Sequence, residues 1–242
     1  MLLRPKKAEG LSLCALDRRD ERGYNTIHRG VNIYKKERDA CVRLETERLI
    51  LREMVPEDFE ALCRVLVDSD IMRHYPYTFD EARVKNWIAC NRERYETLGF
   101  GLWAMVRRDT GEMIGDCGLT MQRIHGVIRP EIGYHVRRDC QRQGYAKEAA
   151  RAVRDWTFEH TPFLKVYSYM KKANIASSAT ARACGMRFVE EYSDDEGDLT
   201  AVYMISHAEW EKRPVCPRKA PSQPPVDTFP GQVAGTQPRK VV

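Results

Sequence analysis

Between Glu131 and Trp156 the hydrophobic period changes from two residues to three or four across a single polar turn. In the segment EIGYHVR, Ile132, Tyr134 and Val136 alternate with Glu131, Gly133, His135 and Arg137, the pattern of a half-buried strand. Beyond it Tyr145, Ala146, Ala149, Ala150, Val153 and Trp156 recur at three- and four-residue steps, which puts one apolar face on a helix. Only Arg138-Asp139-Cys140-Gln141-Arg142-Gln143-Gly144 separates the two. The rest of the chain has to be arranged around this junction.

A helix entered through so short a turn begins with amide N–H groups that have no intrahelical partner. Those amides and the positive end of the helix dipole suit a phosphate or pyrophosphate. Gly144 has no Cβ, so an anion can approach the backbone there. Strand–Gly–helix junctions also arise simply because a chain must reverse. Two other phosphate-binding patterns are excluded: the chain has no G-x-x-x-x-G-K-S/T, and the turn lacks the three glycines of a dinucleotide fingerprint.

The 242 residues read as one domain with irregular ends. Residues 1–42 are rich in charge, with only LSLCAL and VNIY as apolar pieces, and read as a loosely attached, poorly ordered basic extension. Residues 211–242 are rich in Pro, Gly, Ser and Gln without apolar periodicity, and read as a disordered basic tail. The domain is expected over 43–210. Residues 1–42 carry 10 Lys+Arg against 6 Asp+Glu and residues 211–242 carry 6 against 2, so of the net +5 the central part keeps −3. The basic excess lies in the tails, and the domain has no electrostatic footprint for nucleic acid.

The eight cysteines include no C-x-x-C pair and read as free thiols of a reducing compartment. The six histidines have no ligand spacing, so no metal site is expected. No apolar run is long enough for a signal peptide or a membrane span. A soluble cytoplasmic protein is expected, with no membrane partner.

In chain order, Arg43 to Met54 reads as a first strand with Leu44, Leu49 and Leu51 apolar. Pro56-Glu57-Asp58 opens a helix with Phe59, Leu62, Val65 and Leu66 on its buried face. After a loop over 68–79, a second helix runs from Asp80 to Thr97 and stops at Gly99. Gly101–Arg107 and Glu112–Met121 are strands joined by a turn, and 122–130 is a connection into the strand at Glu131. Helix 145–160 precedes a strand over 163–170, a short helix from Asn174 to Cys184, and strands over 186–192 and 199–207. The order β-α-α-β-β-β-α-β-α-β-β predicts an α/β fold.

The junction and this order together resemble the GNAT superfamily of acyl-CoA N-acyltransferases, whose phosphate-binding signature Q/R-x-x-G-x-G/A is matched by Gln141-Arg142-Gln143-Gly144-Tyr145-Ala146. LETERLILRE at 44–53, FGLWAM at 100–105, TGEMIGDCGL at 110–119, EIGYHV at 131–136 and NIASSATARACGMRF at 174–188 are similar to the ribosomal-protein N-terminal acetyltransferase-like branch. The resemblance spans about 43–210. It implies a mixed, mostly antiparallel central sheet flanked by helices. It also implies acetyl-CoA as co-substrate, without a metal, and transfer to a primary amine of a small molecule or a protein N-terminus. The protein would be a monomer or a homodimer. A catalytically idle acyl-CoA-binding or protein-interaction module of the same fold is the alternative.

The resemblance also assigns roles. The amides from Arg142 to Ala146 would meet the pyrophosphate, and the backbone at Tyr134 and Val136 the pantetheine arm. Asn174 would bond the pantetheine or its surroundings, and is equally a good helix N-cap. Glu131 would accept the amine's proton and Ser177 would assist the departing thiolate. The chain departs from many relatives at Ala181, where a tyrosine often serves as general acid. The acceptor pocket would lie among 68–79, 122–130 and 193–198, with His74, Tyr75 and Tyr77 as possible lining. Asp194-Asp195-Glu196 would favour a cationic acceptor if that loop faces the pocket. Trp103 and Trp156 read as core.

Overall fold

A computed structural model of the chain describes residues 43–75 and 77–213. The expectations for 1–42 and for the tail from 214 onward lie outside the described residues. The strands are β1 (Arg43–Glu45), β2 (Leu49–Arg52), β3 (Leu102–Arg107), β4 (Met113–Ile124), β5 (Val127–Val136), β6 (Lys165–Lys171), β7 (Arg187–Ser193) and β8 (Leu199–Ser206). The helices are α1 (Phe59–Leu66), α2 (Ser69–Met72), α3 (Glu81–Leu98), α4 (Tyr145–His160), α5 (Ile175–Ala183) and α6 (His207–Glu211). The strands form one 8-stranded sheet in the order β1-β2-β3-β4-β5-β6-β8-β7. All neighbours are antiparallel except β5 and β6, which run parallel.

Strand alternation divides the core into two layers. On β3, Trp103 and Met105 join Tyr145, Ala149, Ala150, Val153 and Phe158 of α4 on one face. Leu102, Ala104 and Val106 join Leu62, Val65 and Leu66 of α1 and Val84 and Ile88 of α3 on the other. Ala149 and Ala150 let α4 lie close to the sheet. Trp103 is wholly buried and meets Trp156 edge to face at 5.0 Å, as expected of core tryptophans. Full burial of a side chain such as Leu62 or Val153 contributes about 1.5–3 kcal/mol. The ends of α3 follow the sequence signals: the Asp80 carboxylate accepts from the Arg83 N–H at 2.8 Å, and Gly99 forms the left-handed cap.

Several expectations are corrected. The first strand is a hairpin, β1 and β2, turned at Thr46, whose hydroxyl accepts from the Leu49 N–H at 2.9 Å. The loop 68–79 contains α2, capped by Asp68 through the N–H groups of Asp70 and Ile71. Residues 122–130 belong mostly to a long β4–β5 hairpin, whose turn is only His125-Gly126 at φ 48° and 77°. Two left-handed residues suit the twist of a tight hairpin, but His-Gly lacks the Asn-Gly or Asp-Gly signal that would announce it. At the C-terminal side, Trp210 Nε1 donates to Asp155 at 2.7 Å and Arg213 donates to the Cys184 carbonyl at 2.8 Å. Cys63, Cys117, Cys140 and Cys184 are free thiols as read, whereas Cys90 is disulfide-bonded.

Candidate active site

The ladder between β5 and β6 holds at a single register pair, Glu131 with Tyr167. Beyond it no further register pair joins the two parallel strands, so the ladder is split beside the second half of β5. On the β4 side, the Arg137 N–H donates to the Ile114 carbonyl at 2.8 Å and the register pairs His135 with Asp116. Antiparallel alternation therefore turns the backbone groups of the odd-numbered β5 residues toward β4 and those of Tyr134 and Val136 toward the split. Both residues expected to offer backbone to a pantetheine arm are at the opening. The Val136 carbonyl is already engaged, accepting from Gln141 Nε2 at 3.0 Å.

The same strand end leads directly into the turn before α4. Gly144 is the residue before the helix, at φ 86°, and Arg142 is also left-handed at φ 60°. A side chain at Gly144 would be strained whatever the space around it. The first helical hydrogen bond runs from the Glu148 N–H to the Gly144 carbonyl at 3.0 Å, and Gly144 brings no side-chain cap. The amides of Tyr145 and Ala146 thus open the helix without intrahelical partners. The side chains of the turn serve the turn itself. Gln143 Nε2 donates to the Asp139 carbonyl at 2.8 Å, and the Gln143 carbonyl accepts from Arg48 at 2.9 Å. The Tyr145 ring is buried with the Arg48 guanidinium 4.4 Å from its centre.

On the odd-numbered side of β5, Glu131 and His135 are also buried, which corrects the half-buried reading at these two positions. Glu131 lies mid-strand, not at the expected strand end, and accepts from the Thr120 hydroxyl at 3.1 Å. Its carboxyl folds over Gly133, 3.2 Å from where a Cβ would stand. Burial pushes its pKa up to about 7, with the Thr120 hydrogen bond and the charges of His135 and Arg94 opposing and Asp116 adding to the rise.

Four residues further along the same face, His135 and Asp116 form a cross-strand pair, Nδ1 to Oδ1 at 2.7 Å. The other Asp116 oxygen accepts from Trp87 Nε1 of α3 at 2.9 Å, and His135 Nε2 meets the Tyr75 hydroxyl at 2.7 Å. Burial opposes charge on His135, but the charge and hydrogen bond of Asp116, together with Glu131, raise its pKa above the ordinary value. Sequence reasoning assigned nothing to His135, Asp116 or Trp87. The available signals were an acid inside the apolar run MIGDCGL and a histidine in phase with Glu131.

Across the split, Asn174 caps α5 by accepting from the Ser177 N–H at 3.1 Å. The Tyr134 hydroxyl reaches over from β5, donating to the Ser177 carbonyl at 2.9 Å and lying 3.0 Å from Ser177 Oγ. Burial raises the Tyr134 pKa despite that hydrogen bond. Ala181, buried one helical turn later, supplies no hydroxyl. By strand alternation Glu131 and the Tyr134–Ser177 pair belong to opposite faces of β5.

A cleft of about 570 Å³ opens beside this region, with Arg73, His74, Tyr75, Lys171, Asp198 and Leu199 among its lining. Two of the three expected pocket loops contribute. The third, the β4–β5 turn, docks on β7 instead: His125 stacks on Tyr192 at 4.6 Å and Arg129 pairs with Glu190. The acidic loop is tied down by one lysine but keeps an excess of negative charge at the cleft. Lys171 Nζ meets Asp194 at 2.6 Å and Glu196 and Asp198 at 3.2 Å. Among the described residues no cluster of three or more His, Cys, Asp or Glu side chains could hold a metal ion, and no helix is long and apolar enough to cross a membrane.

Comparison with known proteins adds to this geometry. The family model described as an acetyltransferase (GNAT) domain matches residues 48–187. The protein YkkB of Bacillus subtilis (strain 168) is 34% identical over 151 residues, covering 62% of this chain and 88% of its own. The FsC-acetyl coenzyme A-N(2)-transacetylase of Aspergillus fumigatus is 29% identical over 188 residues, covering 69% and 77%. Among solved structures, a GNAT-family acetyltransferase from Bacillus anthracis superposes with a TM-score of 0.61 at 21% identity, covering 69% of this chain and 100% of its own.

Proposed function

The chain belongs to the GNAT acetyltransferase family, and from that premise we propose that it moves the acetyl group of acetyl-CoA to a primary amine by direct attack on the thioester. The observation that carries this reading is the split beside β5 running straight into the open amides of the α4 N-terminus. One strand end offers a peptide-like edge for pantetheine amides and an anion site for pyrophosphate. The Aspergillus relative, whose name includes acetyl coenzyme A, supports the choice of donor. Acetyl-CoA brings an activated acetyl group and a thiolate leaving group, so no covalent enzyme intermediate is required.

The chain's own groups divide the work. The amides from Arg142 to Ala146 hold pyrophosphate, while Gln141 and Gln143 keep the turn in shape. The Tyr134 and Val136 N–H groups and the Tyr134 carbonyl pair with pantetheine. Asn174 spends Oδ1 on Ser177 and offers Nδ2 to the ligand. A strand N–H at the split stabilises the oxyanion. Glu131 accepts the proton of the incoming ammonium, and its pKa of about 7 suits that task at neutral pH. Ser177, backed by Tyr134, protonates the departing sulfur in place of a tyrosine at Ala181.

The acceptor is a primary amine of a small molecule or a protein N-terminus. An α-amine, with a pKa of roughly 8, gives up its proton more readily than lysine at about 10.4. An acceptor screen following thiol release from acetyl-CoA tests the reading. Release that depends on an added primary amine is expected. Tight acetyl-CoA binding without release for any amine class identifies an idle module.

A further inference from the structure

A primary ammonium must lose two protons to become an amide: one before the nitrogen can attack, and one after the C–N bond forms. The transfer reading above, on which this inference rests, gives Glu131 the first and names no acceptor for the second. We propose that the second leaves through Tyr75, His135 and Asp116, a relay that runs from the wall of the acceptor cleft to the interior of the sheet.

With the His135 ring neutral, the hydrogen bonds give the relay its direction. Asp116 accepts on both oxygens, from His135 Nδ1 at 2.7 Å and from Trp87 Nε1 at 2.9 Å. His135 therefore carries its ring proton on Nδ1, and in the neutral ring Nε2 is an acceptor. Tyr75 lies 2.7 Å from Nε2, so against the neutral ring its hydroxyl donates there, and in the proposed relay its oxygen lone pairs accept from a nitrogen in the cleft whose lining includes Tyr75. Ring packing holds the chain in register: Tyr75 lies 5.5 Å from His135 and 6.1 Å from Phe79, and Trp87 lies 5.8 Å from His135. Asp116 is wholly out of solvent and His135 nearly so. Burying such a pair brings stability little or nothing compared with apolar residues, so an apolar strand pair would serve a purely structural purpose as well.

The step balances. The amine lone pair forms the C–N bond and the carbonyl electrons move to oxygen. A proton on the new N⁺ then passes to the Tyr75 oxygen as the Tyr75 proton passes to His135 Nε2. The product is an imidazolium against the Asp116 carboxylate. Collapse of the oxyanion breaks the C–S bond, and sulfur takes its proton from Ser177, which is reprotonated by solvent. His135 returns its proton to solvent through the cleft. The charged and titratable groups around the relay are Asp116 from β4, Glu131 on the same strand, Tyr77 of the loop and Tyr169 of β6, with Arg94 of α3 acting on Glu131.

A weakly basic primary amine that is already neutral at working pH separates the two protons. Thiol release from acetyl-CoA is measured with this acceptor and with a strongly basic one, using wild type, Glu131→Gln and Tyr75→Phe. With the neutral acceptor Glu131→Gln recovers most of its rate, while Tyr75→Phe stays roughly 10²-fold low in kcat with acetyl-CoA KM unchanged. Nitrogen NMR of the His135 ring, read in wild type at a pH above its raised pKa, has Nδ1 protonated and Nε2 bare, with Nε2 moving on Tyr75→Phe. Wild-type kcat in Tyr75→Phe, a change confined to acceptor KM, or recovery in parallel with Glu131→Gln overturns the relay alone. A wild type that releases no thiol with any amine overturns the transfer reading and the relay with it.

Discussion

The turn that follows β5 and the buried face of β5 that precedes it are built by opposite rules. In the turn, Gln141, Arg142 and Gln143 are exposed, and the two glutamines spend their hydrogen bonds on backbone, Gln141 on the last residue of β5 and Gln143 on the turn. What the turn presents is main chain, shaped by left-handed Arg142 and Gly144. On the preceding face the backbone is consumed by the β4 ladder, and what is presented is side chains: Glu131, His135 and their partners from β4, α3 and the 68–79 loop. A backbone site is specified by local conformation and is sensitive to one glycine. A side-chain site is assembled from distant segments and is sensitive to burial and protonation.

The comparison breaks most visibly at Gly144. Gly144→Glu puts a side chain on a residue at φ 86° and a negative charge at the helix N-terminus. It is expected to remove the rise in melting temperature that acetyl-CoA gives the wild type, a rise that follows from binding to the folded state alone. A folded mutant with an undiminished rise contradicts a backbone site. Ser177→Ala comes next. Its kcat is expected to fall about 10²-fold with acetyl-CoA affinity nearly intact, because the lost hydroxyl acts on the leaving sulfur. An equal loss of affinity would make Ser177 a binding residue.

Glu131 carries an effect that can be read without substrate. Its folded pKa of about 7 lies above the ordinary 4.5, so the folded state holds this proton more tightly than the unfolded chain. Stability attached to it is fully present below about pH 4.5 and is lost as pH rises toward 7. Glu131→Gln is therefore expected to gain up to about 3 kcal/mol relative to wild type between pH 4.5 and pH 8 in denaturant melts. A pH-independent difference means the carboxyl is not buried as described. The smallest effect falls on the turn's side chains. Gln143→Ala loses a hydrogen bond worth about 1 kcal/mol to the loop and is expected to weaken acetyl-CoA binding less than tenfold in a titration.

The same contrast explains what the sequence revealed. Helix α4 begins at Tyr145 and ends at His160, where periodicity placed it, and the Gln141–Ala146 motif lies at its start. Both depend on neighbours in the chain, whereas the phase that turns Tyr134 and Val136 toward the split is set by the hydrogen bond from Arg137 to Ile114 across the ladder. The Tyr75–His135–Asp116 chain joins residues up to 60 positions apart, so no local pattern announces it. The acidic loop does line the cleft, but Lys171, a strand residue with no obvious role in sequence, binds three of its four acids and offsets one of their charges. The hairpin at His125-Gly126 was missed because its residues carry no strong turn signal, although its backbone adopts the tight form.

The division of labour along β5 is tested most directly by one variant read two ways: the acetyl-CoA dissociation constant of Glu131→Gln and its rate of acetyl transfer to a basic amine in a single turnover. The dissociation constant is expected to match wild type. The rate is expected to fall roughly 10²-fold between about pH 7, where Glu131 ionises, and the amine's own pKa, with the deficit shrinking above it. Wild-type rates throughout that window, or a loss of acetyl-CoA affinity equal to the loss in rate, would contradict the account.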